Sequence, residues 1–399
     1  MQHAPPQPAY GAHARRFATP IQHVVVIVQE NRTVDYLFNG YPNADTVTID
    51  PYTGTILKPF SLAGSCPPGA SHGAFVAEYD GGAMDGFVND TPKTCTAYAF
   101  APLAEVKRYW SLAENNVLAD ETFSSQQSDS FAGHQYLYAG RGCTYPADTH
   151  CLADNANGEA YCGATGVTVP LMDMTSPYPG RESRYGPPCK RYAATIFSEA
   201  TAAGLSWRYY TYDARSEWGG PSADKACWTH PACAANVVTP PRRVLADIAH
   251  HRLADLVYVT PELDQSDHPD AMHQATAGED WVARVVDAIG ADPAYWQTTT
   301  ILLTWDDWGG WYDHVPPPSP PFYEDPIEYG FRVPLVVVSA YVTPGTVDHT
   351  QRNVFGSMLR YVETTFGLPS LQQVDAPGLT DDLSGLFNYG QAPNPFVPM

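Results

Sequence analysis

Four stretches of the chain are apolar at nearly every position and rich in β-branched residues: HVVVIV (23–28), LVYVT (256–260), TTTILLTW (298–305) and VPLVVVS (333–339). A strand with one wet face alternates polar and apolar residues. These do not, so both faces must be covered, as in a mostly parallel sheet between two layers of helix. Helical patterns fall between them. GEDWVARVVDAIG sets Trp281, Val282, Val285, Val286 and Ile289 on one face and leads into the third run; FGSMLRYVETTFG repeats the pattern after the fourth. ATIFSEATAAGLSWRYYT reads as helix, glycine stop and strand. Such alternation defines an α/β chain. Proline and glycine are spread throughout and no internal repeat occurs, so the expected organisation is one domain over 20–390 behind a flexible segment, 1–19. The stretch from about 140 to 240, rich in Cys, Pro and Tyr, breaks the alternation and is expected to be an irregular insertion stapled by disulfides.

With 22 basic against 43 acidic residues the formal net charge is −21, which argues against nucleic acid or anionic lipid as a partner. A phosphate-bearing substrate would need local positive charge, such as a metal ion. Cys66, Cys95, Cys143, Cys151, Cys162, Cys189, Cys227 and Cys233 are even in number and lack a close CxxC pair. That pattern favours disulfides over zinc, and hence an exported protein. The opening stretch has no apolar core of signal-peptide type and no run of about 18 apolar residues follows, so a mature soluble chain without stable membrane insertion is expected. None of these features fixes the oligomeric state.

Two of the apolar runs end in polar clusters: Glu30 and Asn31 follow the first, Asp306 and Asp307 the third. In open α/β sheets ligands sit outside the carboxyl ends of the strands, and hard oxygen ligands from two such ends could share a divalent ion. Taken singly, Asn31 reads equally well as a helix cap and the aspartates as a solvated turn. Ser130 opens a potential helix in SFAGHQYLYAG, where a serine is usually a cap; beside a metal it could be a nucleophile. The GxSxG match GASHG (69–73) follows no apolar strand run, so a nucleophile elbow is not expected, and there is no HxH or HExxH spacing. Loop histidines His72, His268, His273, His314 and His349 are candidates to bind phosphate oxygens or protonate a leaving group.

The segments HVVVIVQENRTVDYLF, GGAMDGFV, SFAGHQYL, DHPDAMHQATAGEDWV, TWDDWGGWYDHVPPP and YGFRVPLVVVSAYVTPGTVDHTQ occur in one order between about 20 and 370. In that order they resemble the phosphoesterase family of bacterial phospholipases C, plant non-specific phospholipases C and respiratory-burst-inhibiting acid phosphatases. The resemblance implies an alkaline-phosphatase-like three-layer α/β fold and a metal-assisted nucleophile. It places Glu30, Asn31, Asp306 and Asp307 on the metal positions and Ser130 on the nucleophile. His72, His268 and His273 fall on catalytic histidine positions, while Asn31, His134 and His349 are candidates to contact substrate. Asp35, Asp85, Asp313 and His314 are expected to be structural. Two departures stand out: Gly133 occupies a position where many members have Asn, and Val354 and Phe355 stand where many have Asp-His. The larger members' C-terminal β domains are not expected in this chain.

The expectation is therefore a secreted or periplasmic bacterial hydrolase of phosphoric esters, of phospholipase C or acid phosphatase type. It would use one divalent ion (Ca, Mg, Mn, Zn or Fe) and a phosphoseryl intermediate, on a phosphate ester or phospholipid headgroup. The rival from another class is a secreted non-catalytic protein whose acidic cluster holds a structural calcium.

Overall fold

The computed structural model describes residues 17–64, 69–88, 96–143, 150–152, 154–173, 182–269, 274–318, 322–324, 327–349 and 353–399. His273, Cys66, Cys95 and most of the 1–19 segment lie outside them. Eight strands form the central sheet: β1 (His23–Gln29), β2 (Val117–Ala119), β3 (Trp207–Tyr210), β4 (Val237–Val238), β5 (Leu256–Val259), β6 (Thr299–Trp305), β7 (Leu335–Ser339) and β8 (Thr346–Asp348). Their spatial order is β4-β3-β5-β1-β6-β7-β2-β8. All neighbours run parallel except at β7, which is antiparallel to both β6 and β2. The fourth apolar run therefore departs from the parallel expectation. Burial on both faces identifies an internal strand and says nothing about its direction.

Every residue of β5, β6 and β7 is buried, as is β1 after His23. Helices cover both faces. On one side Ser130–Ala139 (α3) packs against Ile196–Ala202 (α4) and Phe355–Phe366 (α7); on the other Ala277–Gly290 (α6) packs against Lys107–Glu114 (α2) and Arg243–Ala249 (α5). As the spacing requires, Trp281, Val282, Val285, Val286 and Ile289 of α6 are fully buried. Helix α7 ends at Gly367, in the left-handed conformation. Among the described residues no helix is long and apolar enough to cross a membrane.

Between 140 and 240 the chain makes a small antiparallel sheet from His150–Leu152, Val169–Asp173 and Glu182–Gly186, then returns through α4 to contribute β3 and β4 to the main sheet. Disulfides Cys143–Cys151, Cys162–Cys189 and Cys227–Cys233 fasten this stretch, and no described cysteine is free.

The loop after β6 is anchored at its far end by charge. Arg332, fully buried, donates through Nε to Asp313 Oδ1 at 2.7 Å and through its terminal nitrogens to the carbonyls of Asp120 and Asp45. His314 pairs with Asp35 at 2.7 Å in the same network. Asp35, Asp313 and His314 are close enough to hold a metal, but the guanidinium already supplies their positive charge. Removing one partner of a buried pair strands the other, so Asp313→Ala should cost about 3–5 kcal/mol in chemical denaturation; a loss below about 1 kcal/mol would show that the network is not what fastens this loop.

Candidate active site

The site is a consequence of strand register. Gln29 of β1 lies opposite Trp305 of β6, and side chains alternate between the two faces. Gln29 and Trp305 therefore point to the α6 side: Gln29 Nε2 donates to the Gly278 carbonyl and Trp305 Nε1 to Asp267. Glu30 and Asp306, one residue on, turn together toward α3. There His134 Nε2 stands 3.1 Å from Glu30 Oε1 and 3.7 Å from Asp306 Oδ2, all three side chains buried. Ser130 and His134, four residues apart, share a face of α3.

Two glycines make this approach possible. A Cβ on Gly133 would lie 2.6 Å from the Asp306 carbonyl oxygen, so the family's asparagine could not be accommodated here without moving α3. Gly309 has φ +65°, and a Cβ on it would lie 2.4 Å from the Asn31 carbonyl oxygen. Asn31 itself adopts φ +61°. In that conformation its N–H donates to Asp306 Oδ1 at 2.9 Å and its Nδ2 to Asp307 Oδ1 at 2.8 Å. Asp307 Oδ1 also accepts from Gly309 N, and Oδ2 from the Ser130 hydroxyl at 3.2 Å.

Electrostatically the cluster is short of positive charge. Burial raises the Glu30 carboxyl well above its ordinary range, and Asp306 raises it further; burial and Asp306 do the same to Asp307. Burial pushes the His134 imidazole down to about 4, leaving it neutral. Glu30 Oε2, Asp306 Oδ2 and Asn31 Oδ1 are buried with no hydrogen-bond partner. Ligand atoms of Glu30, His134 and Asp306 lie within 4.8 Å of one another. Two carboxylates, a neutral imidazole and orphaned oxygens fit a divalent cation.

Other expected residues are placed more variably. His72 is buried at the start of helix His72–Tyr79; its N–H donates to Asp154 Oδ1 at 2.6 Å and its Nδ1 lies 3.1 Å from the Gln127 carbonyl. Ser128 Oγ donates to the same Asp154 oxygen, which ties His72 to the loop that delivers Ser130. The His268 ring lies against Trp218, centroids 5.6 Å apart. His349 pairs with Asp120 at 2.7 Å, at the Arg332 end of the sheet edge. Val354 and Phe355 are buried, and the Phe355 N–H donates to Ser125 Oγ.

His134, a candidate to contact substrate, faces Glu30 and Asp306, and its helical spacing from Ser130 was the available signal. Two other residues escaped the sequence reading. Asp129 and Glu217 carry no local signal. Burial raises both carboxyls, Glu217 to about 7, with Asp306 adding to Glu217 and with Asp154 and Glu217 adding to Asp129. Gly309→Ala should destabilise the protein by at least about 1 kcal/mol, since a side chain is forced into a left-handed conformation, and should reduce turnover by displacing Asn31. Wild-type melting and turnover would contradict the close approach.

The chain is 24% identical to phospholipase C A of Mycobacterium tuberculosis, over 98% of this chain and 82% of that protein. It is 23% identical to the hemolytic phospholipase C of Pseudomonas aeruginosa, over 92% of this chain and 56% of that protein. Among solved structures it is similar to a protein in the alkaline phosphatase superfamily from Vibrio parahaemolyticus, with 10% identity and a TM-score of 0.42 over 92% of this chain and 71% of that one. The model of the Phosphoesterase family matches residues 21–369, so the chain is a hydrolase of phosphoric esters and belongs to the Phosphoesterase family.

Proposed function

We propose that the protein hydrolyses phosphodiesters with Ser130 as its nucleophile. The observation that carries this reading is the Ser130 hydroxyl, held by Asp307 at the head of a buried helix, one turn from the pocket of Glu30, His134 and Asp306. A divalent ion held by those three residues, with Asn31 and Asp307 beside them, would supply positive charge for the phosphoryl oxygens and lower the hydroxyl's pKa. Asp307 Oδ2 accepts the proton as Oγ closes on phosphorus. The Oγ–P bond forms, the bond to the leaving oxygen breaks, and that oxygen departs with a proton from His268. Water then attacks the phosphoseryl group and gives its proton to His268; the P–Oγ bond breaks and Oγ recovers its proton from Asp307. Ser130→Ala should fold normally and lose at least about 10³-fold in kcat. Retained turnover would remove Ser130 from the mechanism.

Charge favours a diester over a monoester. Acidic neighbours add to burial in raising the carboxyls of Glu30, Asp129, Glu217 and Asp307, so the site disfavours each further negative charge, and the chain as a whole is strongly acidic. A monoester brings nearly two negative charges at neutral pH, its second ionisation lying near about 6, whereas a diester brings one. The relatives named phospholipase C point the same way. The disulfides support an oxidising compartment, outside the cytosol, as the place of work. With matched chromogenic substrates at pH 8, kcat/KM should favour the diester, and the monoester should gain as pH falls through about 6 and it loses its second charge. A monoester preference that persists at pH 8 would make the protein a phosphatase.

A further inference from the structure

Arg32 is 1% exposed, yet its setting is not that of a structural ion pair. One terminal nitrogen, Nη1, donates to the carbonyl of its neighbour Asn31 at 2.7 Å. The guanidinium lies over the rings of Tyr36 and Trp311, 5.0 and 5.3 Å from their centroids. Its Nε is buried with no hydrogen-bond partner. Asp267 and Asp307 act on it electrostatically without a direct hydrogen bond to it. A buried guanidinium that leaves a donor unsatisfied costs stability, so its place calls for a role beyond packing.

That role is visible at Asn31. All of the polar groups of Asn31 except Oδ1 are engaged: N–H by Asp306, Nδ2 by Asp307 and the carbonyl by Arg32. A left-handed backbone at a non-glycine residue is held by its surroundings, and here Gly309 closes one side of the carbonyl while Arg32 fills the other. We propose that Arg32 is a positioning residue for the catalytic centre, which fixes Asn31 so that the two aspartates are set in place and Asn31 Oδ1 is left available to an ion. The idea rests on the reading that Glu30, His134 and Asp306 hold a divalent cation. Removal of a positive charge alone would tighten cation binding, whereas loss of positioning weakens it, so the sign of the change is diagnostic.

The test is calorimetric titration of chelator-stripped protein with Mn²⁺ and with Ca²⁺, for wild type, Arg32→Met and Arg32→Lys, alongside melting temperature, kcat and KM. Methionine fills the space between Tyr36 and Trp311 without charge or donors. For Arg32→Met the ion Kd should rise about 10- to 100-fold, the usual effect of losing a group that orients metal ligands. Its kcat should fall by a similar factor while KM changes little, and Arg32→Lys, which keeps the charge but lacks the planar fork, should lie between it and wild type. An unchanged or lower Kd in Arg32→Met, with changes confined to melting temperature, would overturn the proposal. Should Arg32→Met fail to fold, an ion affinity of Arg32→Lys equal to wild type would overturn it and a weaker one would support it. If wild type itself binds neither ion, the cation reading falls and this proposal with it; if wild type binds and the variants bind equally, only the role of Arg32 falls.

Discussion

Gln29 and Trp305 face each other across a parallel ladder, and the chemistry one residue beyond them depends on that pairing. The period of a strand is two, so a slip of one residue would send Glu30 and Asp306 to opposite faces of the sheet. The slip is prevented on the opposite face of the sheet. Gln29 is fastened to the far face through the Gly278 and Gln265 carbonyls and the Asp267 N–H, while Trp305 shares Asp267 with Tyr109. A polar network on one face of the sheet thus sets the aim of the carboxylates on the other.

The central apolar strands were legible because a run buried on both faces needs nothing from the rest of the chain to declare itself. The α6 stripe was legible for the same reason, since periodicity is local. The direction of β7 was not, because direction is decided by the path of the connecting chain. The motifs at the ends of β1 and β6 led to Glu30, Asn31, Asp306 and Asp307 together with Ser130, and the structure gathers these five. His134 was assigned to substrate because a single histidine gives no hint of which group it will face; only the docking of α3, permitted by Gly133, brings it against Glu30. Glu217 and Asp154 come from the disulfide-fastened stretch, where periodic signals are weakest and tertiary folding decides proximity. His349 lies against Asp120, a contact that its sequence position does not announce.

The same sequence segment, from Asp306 to His314, carries acidic groups at both of its ends, and the two ends are answered differently. At Asp313 the answer is Arg332, a guanidinium that stays charged at any working pH and is covalently part of the fold. Nothing can leave or enter there, so that end contributes rigidity. At Asp306 and Asp307 the nearby imidazole is neutral and Arg32 reaches only the Asn31 carbonyl, so no cationic side chain pairs with the two carboxyls directly. Trp308, Trp311 and Tyr312 bury the stretch between, and Gly309 and Gly310, both at positive φ, let it turn. One end of the loop is therefore fixed by a cation the chain makes itself, while the other keeps a cluster whose donors fit a divalent cation. That asymmetry explains why acidic groups at the two ends of one short segment differ in what they can do: a resident guanidinium neutralises a site, while an exchangeable ion with vacant coordination positions can also bind a phosphoryl oxygen.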